Sequence, residues 1–342
     1  MDRLTSLYKA RFGAGPERTE LLPLSGSARK YWRMEGAGRT VIGCIGVSLA
    51  ENRAFLAIDA AMRSMGLDAP EVFGVSPDGL AYLQEDLGDG QLFALLGPAI
   101  RSGLYGPEER GWLRDTVRAL PALQYKTGEV LDWDVCFPDR EFNARMVSFD
   151  LNYFKYDFLK FTGLPFDEIR LQDDFDRLLE DAIAPFGNTF LYRDFQARNV
   201  MILDGRPRFI DFQGGRRGPG QYDLASFLWN AGTRFDAEMR EWLEEEYLDA
   251  LSEFEKPDRA EWRRRYRLLT LLRLLQETGA YGFRGMVERK AIFLDCIPAV
   301  LILLGQLAQE PFERYPYLTE TLRRLAVEWD GSTIFPDLKI KL

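Results

Sequence analysis

Hydrophobic and polar positions along the chain follow two regimes. Up to about residue 87, short apolar runs with period-two alternation are separated by turns of small and polar residues; from Gln91 onward, apolar positions recur at helical spacing. The first regime predicts strands at 21–24, 30–35, 40–47, Val72–Val75 and 80–84, with turns at 25–29, 36–38 and 76–79. A short helix at 4–12 precedes them. A longer one at 48–66 follows the third strand: Ser48 and Glu51 form a capping-box pattern, and Phe55, Ile58, Met62 and Met65 make one apolar stripe.

The second regime predicts helices at 107–123, 143–161, 171–184, 223–232, 237–254, 261–279, 287–307 and 318–329. Asp223 reads as the N-cap of the fourth of these. The glycine-rich run GAYGFRG at 279–285 reads as a loop. One hairpin interrupts the helices: Val200–Leu203 and 208–211 read as strands, joined by a turn at 204–207, Asp-Gly-Arg-Pro. The fold class is therefore α+β. A small antiparallel-sheet lobe spans 1–88 and a mainly helical lobe spans 89–342, with the boundary at 88–90.

Composition narrows the function. The 342 residues are 46% apolar, enough for a sizeable core, and the net charge of −9 with no offsetting basic run excludes nucleic acid as the main partner. The opening MDRLTSLYKARFG has no apolar core of a secretory signal. The most apolar window, 292–308, is interrupted by Asp295, Pro298 and Gln306, so it predicts a buried helix and no membrane partner. Cys44, Cys136 and Cys296 are widely spaced, which fits a reducing, cytoplasmic location. No protein partner is indicated. There is no histidine, which excludes Ser-His-Asp and Cys-His nucleophilic sites and the usual zinc ligand sets. Any general base must be a carboxylate, Lys, Tyr or Cys.

The chemistry concentrates in residues 192–211, YRDFQARNVMILDGRPRFID. If Leu203 pairs with Arg208, Val200 pairs with Asp211, and Asn199 and Asp211 share one end of the hairpin, roughly 5 Å apart. An amide oxygen and a carboxylate at that spacing can share one divalent ion. Mg2+ suits them, since it takes few protein ligands and leaves other positions to water and phosphate. Asp194, five residues before Asn199, can face this pair and accept a hydroxyl proton.

The run YRDFQARN followed by IDFQ resembles the catalytic and metal-binding motifs of the protein-kinase-like superfamily. Within it, the chain is most similar to the aminoglycoside phosphotransferase-like small-molecule kinases. The RDFQ-A-RN run, IDFQ, and Gly218-Pro219 leading into YDLASFLW look most like bacterial kinases that act on the anomeric hydroxyl of N-acetylmuramate or N-acetylglucosamine. The close match covers about forty residues, 192–229.

That resemblance implies a bilobal protein-kinase-like fold, ATP and Mg2+ as cofactors, and a small sugar as substrate. It implies Asp194 as the catalytic base and Asn199 and Asp211 as metal ligands. The backbone of Gly26, Ser27 and Ala28 would cover the phosphates, and the backbone of Glu85, Asp86 and Leu87 would meet the base. The third strand, TVIGCIGV, lacks the lysine that such folds direct at the phosphates. Lys30 or Arg33 on the second strand is the alternative source of charge. Glu51 is either a cap or the partner of such a cation. Tyr192 stands where kinases carry a structural histidine. Only seven residues separate Asp211 from Pro219, too few for a peptide-binding segment, which argues for a small acceptor. Arg216 and Arg217 either face an anionic group of the substrate or are solvated. Asp150 and Asn152, in the aromatic stretch 143–161, are further substrate positions. Two rival expectations share the fold: an aminoglycoside phosphotransferase, using the acidic runs 244–246 and 173–176, and a pseudokinase-like nucleotide-binding module.

Overall fold

Period-two alternation in the first third of the chain becomes one five-stranded sheet. The computed structural model describes residues 1–23 and 29–329, so Gly26, Ser27 and Ala28 lie outside the described residues. The chain divides into two units. The first comprises Met1–Glu141, Asn188–Gly218 and Glu246–Phe254; the second comprises Phe142–Gly187, Pro219–Glu245 and the chain from Glu255.

In the first unit, β1 (Arg18–Leu21), β2 (Lys30–Gly36), β3 (Arg39–Ile45), β4 (Val72–Val75) and β5 (Ala81–Glu85) form an antiparallel sheet in the order β1-β2-β3-β5-β4. The first strand starts before the expected 21–24, because Arg18–Leu21 pairs in register with Trp32–Glu35. Ala37 and Gly38, both at positive φ, supply the two-residue turn that joins β2 to β3. Helix α1 (Asp2–Phe12) buries Leu4 and Tyr8 against Met34, Val41, Ala81 and Leu83 on one face of the sheet. The Tyr8 hydroxyl donates to the Gly36 carbonyl at 2.6 Å, which satisfies the polar tip of a buried ring. Helix α2 (Leu49–Ser64) buries Phe55, Ile58 and Met62, and Ser48 caps it by accepting from the Glu51 amide at 3.3 Å. Beyond the sheet come α3 (Leu92–Leu95), α4 (Gly97–Ser102) and α5 (Pro107–Val130), then four short strands: β6 (Phe190–Leu191), β7 (Val200–Leu203), β8 (Arg206–Phe209) and β9 (Arg216–Arg217).

A column of buried rings ties these elements together. Phe55 of α2 stacks on Tyr82 of β5 (centroids 4.8 Å, planes 18° apart) and on Phe212 (5.0 Å, 5°). Phe212 meets Tyr192 edge-on at 6.1 Å, and Tyr192 meets Phe195 at 5.4 Å. Each such pair adds about 0.5–1.5 kcal/mol beyond its buried area.

The second unit is helical: α6 (Ala144–Asp157), α7 (Glu168–Ala182), α8 (Gln221–Leu228), α9 (Ala237–Leu251, whose last turns belong to the first unit), α10 (Arg259–Gly282), α11 (Ala291–Leu294), α12 (Ile297–Leu307) and α13 (Pro316–Glu328). Two expectations fail here. The run 279–285 is not a loop: α10 continues to Gly282 and passes into a π turn, Phe283–Val287. Its glycines serve packing, since a Cβ at Gly279 would lie 2.6 Å from the Tyr153 backbone and one at Gly282 would lie 2.2 Å from the Asp157 carbonyl oxygen. Asp223 is not an N-cap: Gly220 holds that position and Asp223 is fully buried in the first turn of α8. The expected helix at 287–307 is split at 295–296, because Pro298 opens α12 where its missing N–H costs nothing. The buried polar groups of this unit pair with one another: Arg273 Nε donates to Ser226 Oγ at 2.9 Å and Asn230 Nδ2 donates to Glu277 Oε1 at 3.0 Å. No helix among the described residues is long and apolar enough to cross a membrane.

Replacing Phe55 by Ala is expected to destabilise the first unit by about 3–5 kcal/mol, measured by denaturant unfolding. A loss under 1 kcal/mol would show that the ring column carries little of the stability. Asp59, one turn further along α2, is buried with its Oδ1 lacking a partner among the described residues. Burial, opposed by Arg63 and reinforced by Glu85, pushes its carboxyl from 3.8 up to about 7. Its neutral form therefore stabilises the fold fully below pH 3.8, and that contribution is lost as pH rises to about 7. Asp59→Asn should raise the melting temperature at pH 8 and leave it unchanged near pH 4. Parallel stability curves for the two proteins across that range would refute the assignment.

Candidate active site

The central hairpin turns on two residues, with a register different from that expected. Asp204 and Gly205 both have positive φ (51° and 76°), so Leu203 pairs with Arg206 and Val200 with Phe209. The expected four-residue turn, with Leu203 opposite Arg208, is corrected for a physical reason. Asp-Gly supplies the two left-handed positions of a tight hairpin turn, which releases Arg206 and Pro207 into the strand. A shift of two residues preserves which side chains share a face. Ile210 N–H donates to the Asn199 carbonyl at 3.0 Å, so Asp211 follows directly beyond the partner of Asn199.

Two non-glycine residues at this end of the hairpin are strained. Arg193 has φ 79° and Asp211 has φ 66°. Such residues cost on the order of 1–3 kcal/mol each and persist only where surrounding structure holds them. Tyr192 supplies part of that restraint, donating its hydroxyl to the Ile210 carbonyl. Asn199 Nδ2 donates to the Asp194 carbonyl at 2.8 Å, which commits the amide nitrogen and leaves the oxygen to accept. Asp211 Oδ1 accepts from Gln213 Nε2 at 2.9 Å. Asp211 is exposed and lines a cleft. Desolvation raises its pKa; the Gln213 hydrogen bond lowers it, the Asp194 charge raises it, and Arg29 lowers it. Asp194 itself is exposed.

The cleft has a volume of about 290 Å³. Ile42, Phe55, Met201 and Ile210 give it an apolar part, and Glu85, Asp86 and Leu87 also line it. Asn199 and Asp211 lie on the same wall system, so five of the sequence-derived positions converge here. The two acidic side chains at the edge are engaged elsewhere. Glu85 pairs with Arg208 at 2.9 Å; Asp86 takes Arg33 Nε and Nη2 at 2.7 and 3.1 Å and caps the Gly88 amide at 2.9 Å. Their charges are thus neutralised, and the Glu85 backbone N–H donates to the Glu71 carbonyl at 2.7 Å. Gln84, a buried residue that lines the cleft, has an Oε1 with no partner among the described residues.

Other positions lie elsewhere. Arg216 is buried and its Nε and Nη2 donate to the Gly214 carbonyl at 3.1 and 2.8 Å; Arg217 pairs with Glu141. Asp150 and Asn152 belong to α6 of the second unit, where Asp150 is buried and Asn152 Nδ2 donates to Ser148 Oγ at 3.4 Å. Lys30 is exposed, and Arg33, already bound to Asp86, also pairs with Asp89 at 2.8 Å. Sequence reading missed Arg29. It is 2% exposed, pairs with Glu51 (Nε to Oε1, 3.4 Å) and lies 5.8 Å from the Phe55 ring centroid. The signal was present, since Arg29, Tyr31 and Arg33 share one parity and the latter two line the cleft. Arg29 was instead assigned to the preceding turn.

A kinase for N-acetylmuramate and N-acetylglucosamine from Neisseria meningitidis serogroup B is 37% identical over 89 residues, 26% of this chain and 24% of that protein. One of the same name from Pseudomonas aeruginosa is 24% identical over 235 residues, 67% and 65% of the two chains. The match therefore spans about a quarter and just under two thirds of the lengths of these curated relatives. Among solved structures, amicoumacin kinase hAmiN, in complex with AMP-PNP, Ca2+ and Ami, superposes with a TM-score of 0.62 at 13% identity, covering 92% of this chain and 97% of that one. That likeness shows the shared fold, of the protein-kinase-like kind. The model of the phosphotransferase enzyme family, APH, matches residues 20–263, and the chain belongs to that family.

Proposed function

We propose that the protein transfers the γ-phosphoryl group of ATP to a hydroxyl of a small sugar, the anomeric hydroxyl of N-acetylmuramate or N-acetylglucosamine. The observation that carries the chemistry is the convergence of Asn199 and Asp211, beside Asp194, on a cleft edged by the Glu85–Leu87 backbone. Support for the sugar comes from the names of the two relatives. Residues 1–88 take the role of covering the nucleotide and 89–342 that of carrying the acceptor.

Asn199 and Asp211 offer one amide oxygen and one carboxylate, both hard donors. Among the described residues, no group of three or more His, Cys, Asp or Glu side chains is arranged to hold an ion alone. This set suits a Mg2+ shared with phosphate oxygens. When bound, Mg2+ would neutralise charge on the β- and γ-phosphates. The backbone of Glu85 to Leu87 would bond the base edge, and Gln84 Oε1 would accept from its exocyclic amine, which favours ATP. Asp194 would take the acceptor hydroxyl proton as the new O–P bond forms and the bond to ADP breaks.

An aminoglycoside acceptor has less support. Of the acidic runs it would need, Glu244 pairs with Arg263 and Glu245 with Arg259, and Glu246 pairs with Arg118; Asp174 holds Arg177 and the Leu318 amide.

Phosphorus NMR of the protein with Mg-ATP and a mixture of N-acetylglucosamine, N-acetylmuramate and kanamycin should yield a phosphate coupled to an anomeric proton. An ester on kanamycin would transfer the protein to the antibiotic-modifying kinases. Asp194→Ala should lower turnover by about 10²–10⁴ while ATP affinity stays within a few fold. Wild-type turnover in that variant, with its fold confirmed, would remove Asp194 as the base.

A further inference from the structure

Among the described residues, three carboxylates and two guanidinium groups line the cleft, and most of that charge is already spent. Glu85 pairs with Arg208, and Asp86 pairs with Arg33, which also binds Asp89. Asp211 and Arg198 are left. Asp211 accepts from a neutral amide, that of Gln213. Arg198 is exposed and has no carboxylate or carbonyl acceptor among the described residues. Its guanidinium carbon stands over the Phe93 ring, 4.1 Å from the centroid. A guanidinium placed over a ring gives up one face and keeps the N–H donors around its edge, the donors that take a phosphate in bidentate fashion. The backbone beneath this pair is firmly joined. Gln91 Nε2 donates to the Arg198 carbonyl at 2.9 Å, Ile202 N–H donates to the Gly90 carbonyl at 2.6 Å, and Gln91 and Met201 form an antiparallel bridge. A Cβ at Gly90 would lie 2.4 Å from the Ile202 carbonyl oxygen, so glycine is what lets the two backbones meet. The segment that carries Phe93 is thereby zipped to the one that carries Arg198 and Asn199.

We propose that Arg198 binds the phosphate oxygens of the nucleotide, with Phe93 as its platform. The third strand supplies no cation, and Lys30 of β2 is exposed and is not among the residues that line the cleft. Arg216 and Arg217, the arginines that the sequence offered to an anionic group, are committed to the Gly214 carbonyl and to Glu141. Arg198 alone, among the described residues that line the cleft, is a cation without an ion pair. It precedes Asn199, and both line the cleft. Consecutive Cα atoms lie about 3.8 Å apart, a shorter span than an extended arginine side chain, so the guanidinium reaches an anion that shares a metal with Asn199. Asp211 and Asn199 then meet the polyanion through the metal, and Arg198 meets it directly. The ring already restricts the arginine side chain, so less conformational freedom is lost when the anion arrives.

This inference rests on the kinase reading, and the test separates the two. Calorimetry measures the binding of Mg-ADP, adenosine and N-acetylmuramate to wild type, Arg198→Gln, Arg198→Lys and Phe93→Leu, with melting temperatures to confirm folding. Wild type should prefer Mg-ADP to adenosine, and that preference should shrink as salt rises, because Arg198 is exposed. Arg198→Gln should lose roughly 5–50-fold in Mg-ADP affinity and keep its adenosine affinity. Arg198→Lys should recover part of the loss. Phe93→Leu should weaken Mg-ADP about 2–5-fold and leave adenosine unchanged. A folded Arg198→Gln with the wild-type ratio of Mg-ADP to adenosine affinity overturns the proposal. Should that variant fail to fold, a wild-type ratio in folded Phe93→Leu overturns it instead. A loss confined to N-acetylmuramate, with Mg-ADP unaffected, gives the guanidinium to the carboxylate of the acceptor and also overturns it. A wild type without preference for Mg-ADP overturns it too, yet leaves the kinase reading to the NMR experiment. A wild type that binds none of the three ligands and forms no ester removes both.

Discussion

The column of stacked rings is the constraint on which the first unit depends. Tyr82 comes from the sheet, Phe55 from α2, and Phe212 and Tyr192 flank the hairpin that bears the candidate site. Aromatic pairs favour particular offsets and angles, so the column fixes orientation as well as distance. Were the hairpin to slide relative to α2, Phe212 would leave its near-parallel stack, 5.0 Å from Phe55. Asp211 is bonded directly to Phe212, which makes its placement a consequence of core packing.

Strain at the hairpin end makes sense against that background. Arg193 and Asp211 hold left-handed backbones that unconstrained chains avoid, and the neighbouring Tyr192 and Phe212 are both buried in the column. The packing energy of two large rings exceeds the cost of the strained dihedrals, so the unfavourable geometry persists. The result is that Asp194 and Asp211 are near enough for one charge to raise the pKa of the other. Two carboxylates set against each other in this way invite a cation between or beside them. Arg29 acts in the other direction and lowers the Asp211 pKa.

The edge of the cleft follows another rule. Glu85 and Asp86 place two acids at the cleft, and Arg208 and Arg33 neutralise them. Both pairs cross between separate elements, β5 with β8 and β2 with the segment after β5. They brace the rim of the cleft. Both pairs are part-buried, and they hold β2 and β8 against the chain at the end of β5.

Local pattern alone determined a good deal. Strand alternation, the Ser48 cap, the helical spacing beyond residue 91 and the run from Tyr192 to Asp211 all depend on neighbours a few residues apart, and those were legible. The Asp-Gly turn was legible in principle, but the turn was drawn two residues too wide and the register moved with it. Glycines at 279 and 282 resemble a loop in sequence; they are helix positions because another helix backbone approaches to within a side chain's width. Asp223 carries a cap residue's chemistry, yet it is buried inside the first turn. Arg29, Gln84 and the ring column were decided only by tertiary structure. The ion pair and the column depend on partners 22 to 157 residues away, such as Glu51 for Arg29 and Phe212 for Phe55, and no periodicity along the chain encodes a contact at that range.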